Sequence, residues 1–167
     1  SVDVVDDLTG AKLGRAKSGT FRTADVVGLD TMAHVIKTMQ DTLPGDPWHS
    51  HFQAPAWLAA LIEKGALGQK TKCGIFRKQG KEIQVLDLAK QDYRTSAGEI
   101  APEVAEILKI KNPAEKFAAL RASGHKQAQF LWAIYRDVFH YCAFHLESIA
   151  DNARDVDFAM RWGFGWA

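Results

Sequence analysis

The sequence predicts a mostly α-helical protein with one small β-hairpin. Three observations carry that prediction. Apolar residues recur at helical spacing through most of the 167 residues. Helix-start and helix-stop residues punctuate those runs. Strand-like patterning occurs in one place only, on either side of Gln79-Gly80.

The elements follow in order. Residues 2–9, "VDVVDDLT", form a short helix ending at Gly10. In "TADVVGLD", Thr23 is placed to cap a second short helix that stops at Gly28. Asp30 is then the expected cap of a third helix. Its buried face would carry Met32, Val35, Ile36, Met39 and Leu43, and Pro44-Gly45-Asp46-Pro47 ends it. Residues 55–64 read as a helix opened by Pro55 and closed by Gly65, with Trp57, Leu58, Leu61 and Ile62 inward. "KCGIFRK" and "KEIQVLD" make the hairpin, at about 72–87. Residues 91–101 read as a loop. Helices follow at 102–110 and 113–122, the second with Asn112 as cap and Pro113 in its first position. The longest helix, 125–150, is apolar around most of its circumference; Gln129, Arg136, His140 and Glu147 form its polar stripe. Such a helix is expected to be central, to face a large partner surface, or both. A last helix begins near Asp155 and runs into "RWGFGWA".

Composition sets bounds. The chain is long enough for one sizeable core. Its 47% hydrophobic and 25% charged residues are ordinary for a globular protein, and a net charge of +1 gives no pull toward nucleic acid or a membrane. No apolar run reaches the roughly 18 residues of a membrane span. Cys73 and Cys142 stand far apart without a C-x-x-C motif, so neither a disulfide framework nor a zinc site is suggested, and a reducing cytoplasm fits. His140 and His145, five apart on a helix, lack the spacing of a zinc pair; His49 and His51 flank Ser50 in a loop. No metal ligands are assigned. The start at Ser1, without a basic and apolar leader, suggests a processed or cut chain.

An internal echo organises the chain. "VDDLTGAKLGR" (5–15) and "VDFAMRWGFGW" (156–166) share Val-Asp and a late glycine at equivalent positions. A second copy of the opening unit would therefore begin near residue 156. Residues 1–96 are the first copy, with its hairpin. Residues 97–167 are connecting helices and a truncated second copy. On that division the aromatic terminus is a cut inside a repeat, its aromatics covered by residues beyond it.

"GRAKSGTFRTADVVGLDT" (14–31), "LGQKTKCGIFRK" (67–78) and "VDFAMRWGFGW" (156–166) resemble the C-terminal helical region of L-3-hydroxyacyl-CoA dehydrogenases. The likeness is greatest to the bacterial long form, which carries two helical copies and often a fused enoyl-CoA hydratase domain. The resemblance implies an all-α domain like that at the C-terminus of 6-phosphogluconate dehydrogenases. It implies an acyl-CoA substrate, a homodimer, and NAD held mainly by an N-terminal Rossmann domain that also supplies a catalytic His–Glu pair. No G-x-G-x-x-G occurs in these 167 residues, and no catalytic residue is assigned here. The family's substrate-contacting Asn has no counterpart near Trp132 in "QFLWAI", so the second copy is expected to be structural.

Two basic stretches carry the candidate contacts. Residues 64–81 hold Lys64, Lys70, Lys72, Arg77, Lys78 and Lys81 and no acid. By composition this is a solvated hairpin edge, where lysines block strand pairing, or a phosphate-attracting cluster. The resemblance assigns Lys70 to NAD, in the place of the lysine of "K-T-G-x-G-F-Y"; Lys72, Ile75 and Phe76 depart from that motif. Residues 12–22 carry Lys12, Arg15, Lys17 and Arg22. The resemblance places Lys17, Ser18 and Phe21 beside the acyl-CoA; the alternative is a solvated connecting loop. Two other functions remain: a stand-alone helical interaction module, and the helical domain of a related reductase acting on a small hydroxy acid.

Overall fold

The computed structural model describes residues 1–164. These form eight α-helices: α1 (Val2–Thr9), α2 (Phe21–Val27), α3 (Leu29–Thr42), α4 (Ala56–Glu63), α5 (Pro102–Lys109), α6 (Pro113–Ala122), α7 (Lys126–Ile149) and α8 (Ala153–Phe164). Between α4 and α5 lie the strands β1 (Phe76–Gln79), β2 (Glu82–Asp87) and β3 (Asp92–Thr95) of one antiparallel sheet, ordered β1-β2-β3. The mostly α class is as predicted. The chain divides into two compact units. One comprises Ser1–Asp6 and Ser18–Gly98, the other Asp7–Lys17 and the chain from Glu99 onward.

In the first unit, α2, α3, α4 and the sheet enclose Val2, Ala24, Leu29, Leu58, Leu61, Ala66, Ile75, Val85 and Leu86. Burying a side chain of this size contributes roughly 1.5–3 kcal/mol, which makes the cluster the main stabilising term. Leu58 and Leu61 of α4 are buried, with Trp57 and Ile62 against the same core, as the helical spacing requires. On α3, Met32 and Ile36 pack against the core and Met39 is half-buried, but Val35 and Leu43, the latter just past the end of the helix, are exposed, so the apolar stripe is narrower than predicted.

Helix starts depart from the sequence reading. α2 begins at Phe21 rather than after Thr23, and its cap comes from elsewhere in the chain: the Asp6 carboxylate accepts from the amides of Phe21 (2.5 Å) and Arg22 (2.9 Å). The Thr23 hydroxyl instead donates to the Gly19 carbonyl. Gly28, at φ +103°, ends α2 and opens α3 in a conformation that suits glycine. Asp30 therefore lies inside α3 and does not cap it.

The sheet has one strand more than predicted. In β1–β2, Phe76 pairs with Val85 and Gln79 with Glu82. In β2–β3, Gln84 pairs with Thr95 and Asp87 with Asp92. The reversal between β2 and β3 contains neither Gly nor Pro. The Asp87 carboxylate builds it by accepting from the amides of Ala89 (3.0 Å) and Lys90 (3.2 Å), while Gln91 takes φ +54°. Four residues, "DYRT", then form β3, with only Tyr93 packed toward the core.

In the second unit, Ala101 precedes α5 with Pro102 in its first turn, and Asn112 caps α6 by accepting from the amides of Ala114 (2.9 Å) and Glu115 (3.3 Å). His125 Nδ1 caps α7 by accepting from the Gln127 amide. Leu8, Ile100, Val104, Leu108, Leu120, Ala128 and Leu131 are buried. The central-helix reading of α7 does not hold. Only Ala128 and Leu131 are buried along its 24 residues, because α6 and α8 cover part of its circumference. Phe139, Phe144 and Ile149 are exposed, as are Trp162 and Phe164 of α8. Val156-Asp157, the echo of Val5-Asp6, lies on α8, but Asp157 is exposed and pairs with Arg161 at 3.3 Å, whereas Asp6 is buried as a cap. Gly165, Trp166 and Ala167, the end of the aromatic terminus, lie outside the described residues.

Candidate functional site

Three buried aspartates shape the first unit. Asp3 accepts from the amides of Ala97 (3.1 Å) and Gly98 (2.7 Å) and meets both terminal nitrogens of Arg94, at 2.9 and 2.7 Å. Asp6 caps α2. Asp25 accepts from the amides of Ile75 (2.9 Å) and Phe76 (2.8 Å), tying α2 to the entrance of β1. Each carboxylate replaces water with two N–H donors, which is what permits its burial. Burial raises the carboxyls of Asp6 and Asp25 above the ordinary value, against their amide bonds. None of the three stood out in the sequence, because their partners are backbone amides distant along the chain.

Lys70 sits on a single 3-10 turn, Gln69–Thr71. Gly68 before it has φ +100° and Lys72 after it φ +59°. A side chain at residue 68 would strike the Asp25 carbonyl, so glycine is required there. Thr71 locks the turn: its hydroxyl oxygen accepts from the Leu67 amide (2.9 Å) and lies 2.8 Å from the Cys73 carbonyl, to which it donates. Lys70 Nζ then reaches both carboxylate oxygens of Asp30 at 2.6 Å. That bond is the main reason the Asp30 carboxyl is held below its ordinary value. The ammonium stays about half exposed, with a hydrogen left for an oxygen of a ligand.

The other predicted contacts lie elsewhere. Phe21 opens α2, its ring 6.1 Å from that of Trp57 in an edge-to-face contact. Ser18 Oγ lies 2.7 Å from Thr23 Oγ1; since Thr23 donates to Gly19, Ser18 donates to Thr23. Ser18 and Phe21 thus share the approach to α2, and Lys70 stands at the start of α3. Lys17 is exposed and belongs to the second unit. Among the described residues no group of three or more His, Cys, Asp or Glu side chains is placed to hold a metal ion, and no helix is long and apolar enough to cross a membrane.

Residues 1–78 match the model of the 3-hydroxyacyl-CoA dehydrogenase C-terminal domain. A Bacillus subtilis protein named "Probable 3-hydroxyacyl-CoA dehydrogenase" is 39% identical over 165 residues, covering 99% of this chain and 21% of the relative. A Deinococcus radiodurans protein of the same name is 40% identical over 74 residues, 44% of this chain and 20% of the relative. A Rickettsia felis protein named "Putative fatty acid oxidation complex trifunctional enzyme" is 25% identical over 167 residues, 97% of this chain and 22% of the relative. The chain spans about one fifth of the length of these curated relatives. No solved structure matches it.

Proposed function

The chain belongs to the 3-hydroxyacyl-CoA dehydrogenase family through the C-terminal domain in its first 78 residues, and from that premise we propose that it is the helical, substrate-side segment of an NAD-dependent L-3-hydroxyacyl-CoA dehydrogenase of fatty-acid β-oxidation. The 39% identity that runs beyond the matched domain to nearly the whole chain carries this reading. The whole enzyme oxidises the 3-hydroxyl of an acyl-CoA to a ketone. NAD, when bound, accepts the hydride. Proton transfer belongs to the His–Glu pair of the N-terminal Rossmann domain.

This chain's residues bind and orient. Lys70 donates a charge-assisted hydrogen bond to a phosphate or ribose oxygen of NAD, and Asp30 holds its ammonium in place. A half-exposed ammonium on a locked turn fits that task. Lys17, Ser18 and Phe21 border the acyl-CoA, offering an ammonium, a hydroxyl and a ring edge. The exposed aromatic faces of α7 and α8 serve homodimerisation. The segment alone is inactive. The test is NADH-dependent reduction of acetoacetyl-CoA: activity in the full-length protein and none in residues 1–167 is the expected result, and turnover by the segment alone would refute it.

Those same exposed aromatics, Phe139, Phe144 and Trp162, favour a second reading, a helical interaction module without catalysis. Full-length protein that lacked dehydrogenase activity would favour it.

A further inference from the structure

Beside the β1–β2 hairpin, within the first unit, lies an open cleft of about 700 Å³, in the range of small-molecule sites. Four cations line it: Arg22 from α2, Lys72 from the turn before β1, and Arg77 and Lys78 from β1. The one carboxylate in its wall, Asp25, has both oxygens occupied by the amides of Ile75 and Phe76. Among the described residues no carboxylate pairs with Lys72 or Lys78. Phe76 and Ile83 add apolar surface.

Protection of a hairpin edge accounts for Lys78 but not for the convergence of cations from separate elements. Two details point to a ligand. The Arg22 guanidinium is parked 4.6 Å from the centre of the Phe76 ring, which holds it at the cleft with its donors available. Lys72 adopts φ +59°, where glycine is the least strained residue, so an ammonium is kept at the rim against backbone preference.

We propose that this cleft, framed by Arg22, Lys72, Arg77 and Lys78, binds a diphosphate-bearing ligand. The Arg22 guanidinium can grip phosphate oxygens in pairs; Arg77, whose Nε donates to Gln84 Oε1 (2.8 Å) and whose guanidinium lies 4.0 Å from the centre of the Tyr93 ring, offers its terminal nitrogens alone, and the lysines add point charge. The cleft is distinct from the Lys70–Asp30 pair, which does not line it, and the proposal stands independently of the dehydrogenase reading.

The test is calorimetric titration of the full-length protein with inorganic pyrophosphate and with ADP, compared with a Lys72→Gly/Lys78→Gln variant. Lys72→Gly relaxes a strained backbone, and both sites are exposed, so the variant folds; an unchanged or raised Tm verifies this. Saturable binding by the natural protein and at least tenfold weaker binding by the variant is the expected result. Because a nicotinamide site elsewhere in the whole enzyme also takes ADP, only the binding lost in the variant reports on the cleft; within that component, tighter binding of ADP than of pyrophosphate identifies a nucleotide as the source and equal binding a free diphosphate, and both uphold the site. No saturable binding, or equal affinity in the variant, overturns it. So does retention of single-stranded RNA with no response to either small probe. Binding is read without turnover, so an enzymatically silent protein that still binds would sink only the dehydrogenase reading.

Discussion

Lys70 holds both carboxylate oxygens of Asp30 at 2.6 Å, across 40 residues of chain. The pair is exposed, so it adds little to stability and much to the aim of the ammonium. In the full-length protein, Lys70→Ala is expected to raise the KM for NAD about tenfold, the loss of one charge-assisted hydrogen bond. Asp30→Asn is expected to raise it by a smaller factor. Steady-state kinetics with NAD varied at saturating hydroxyacyl-CoA checks both. An unchanged KM in Lys70→Ala would return this lysine to the solvated hairpin edge.

Asp25 carries a structural load of another kind. Asp25→Ala strands the buried amides of Ile75 and Phe76 and is expected to destabilise the protein by about 2 kcal/mol or more. Urea unfolding followed by circular dichroism gives the value. A loss below about 0.5 kcal/mol would mean that water replaces the carboxylate.

Asp3 sets the acid limb of stability. Burial pushes its carboxyl up, but hydrogen bonds from Arg94, Ser1, Gly98 and Ala97 overcome that and hold it well below the ordinary 3.8. A carboxyl depressed in the folded state contributes stability that is complete above about pH 4 and is lost as the pH falls below it. Asp6 and Asp25, raised by burial, carry the opposite sign and favour the folded state as the pH falls toward that value. Asp3→Asn is therefore expected to be less stable at neutral pH and to lose less on acidification below pH 4. Parallel urea midpoints for the two proteins through that range would expose any error in the sign.

Asn112 caps α6 with one oxygen and two amides. Asn112→Ala is expected to cost about 1 kcal/mol, and Asn112→Ser close to nothing. Thermal melts rank the three proteins. A melt of Asn112→Ala that overlays the parent would show that Pro113 alone starts the helix.

The helices were legible because their cues are local. Asn112-Pro113 and the spacing of Leu58 and Leu61 placed α6 and α4 within a residue or so. β3 was not legible, since its turn depends on the Asp87 side chain rather than on Gly or Pro. Thr23 and Asp30 looked like caps by position, but a remote carboxylate, Asp6, had already satisfied α2 and Gly28 had turned the chain. The apolar circumference of α7 promised burial, and composition alone does not say which neighbours exist to provide it. The motif singles out Lys70, but its ion pair with Asp30, 40 residues away along the chain, has no local cue. The cations of the cleft were visible as a cluster along residues 64–81, but Arg22 joins them only through the packing of α2.

The Asp3 staple separates two boundaries that are easily confused. The stretch shared with the dehydrogenase C-terminal domain stops at residue 78, inside β1. Asp3 finds its partners at Arg94, Ala97 and Gly98. A polypeptide ended at 78 would retain the inherited motifs while leaving a buried carboxylate without its counterion, a defect that costs several kcal/mol. The domain match ends at residue 78, likeness to the relatives runs on through nearly the whole chain, and the hydrogen bonding that closes the first unit reaches Gly98. Insertions and gene fusions should accordingly be tolerated after Gly98 and selected against between residues 78 and 98.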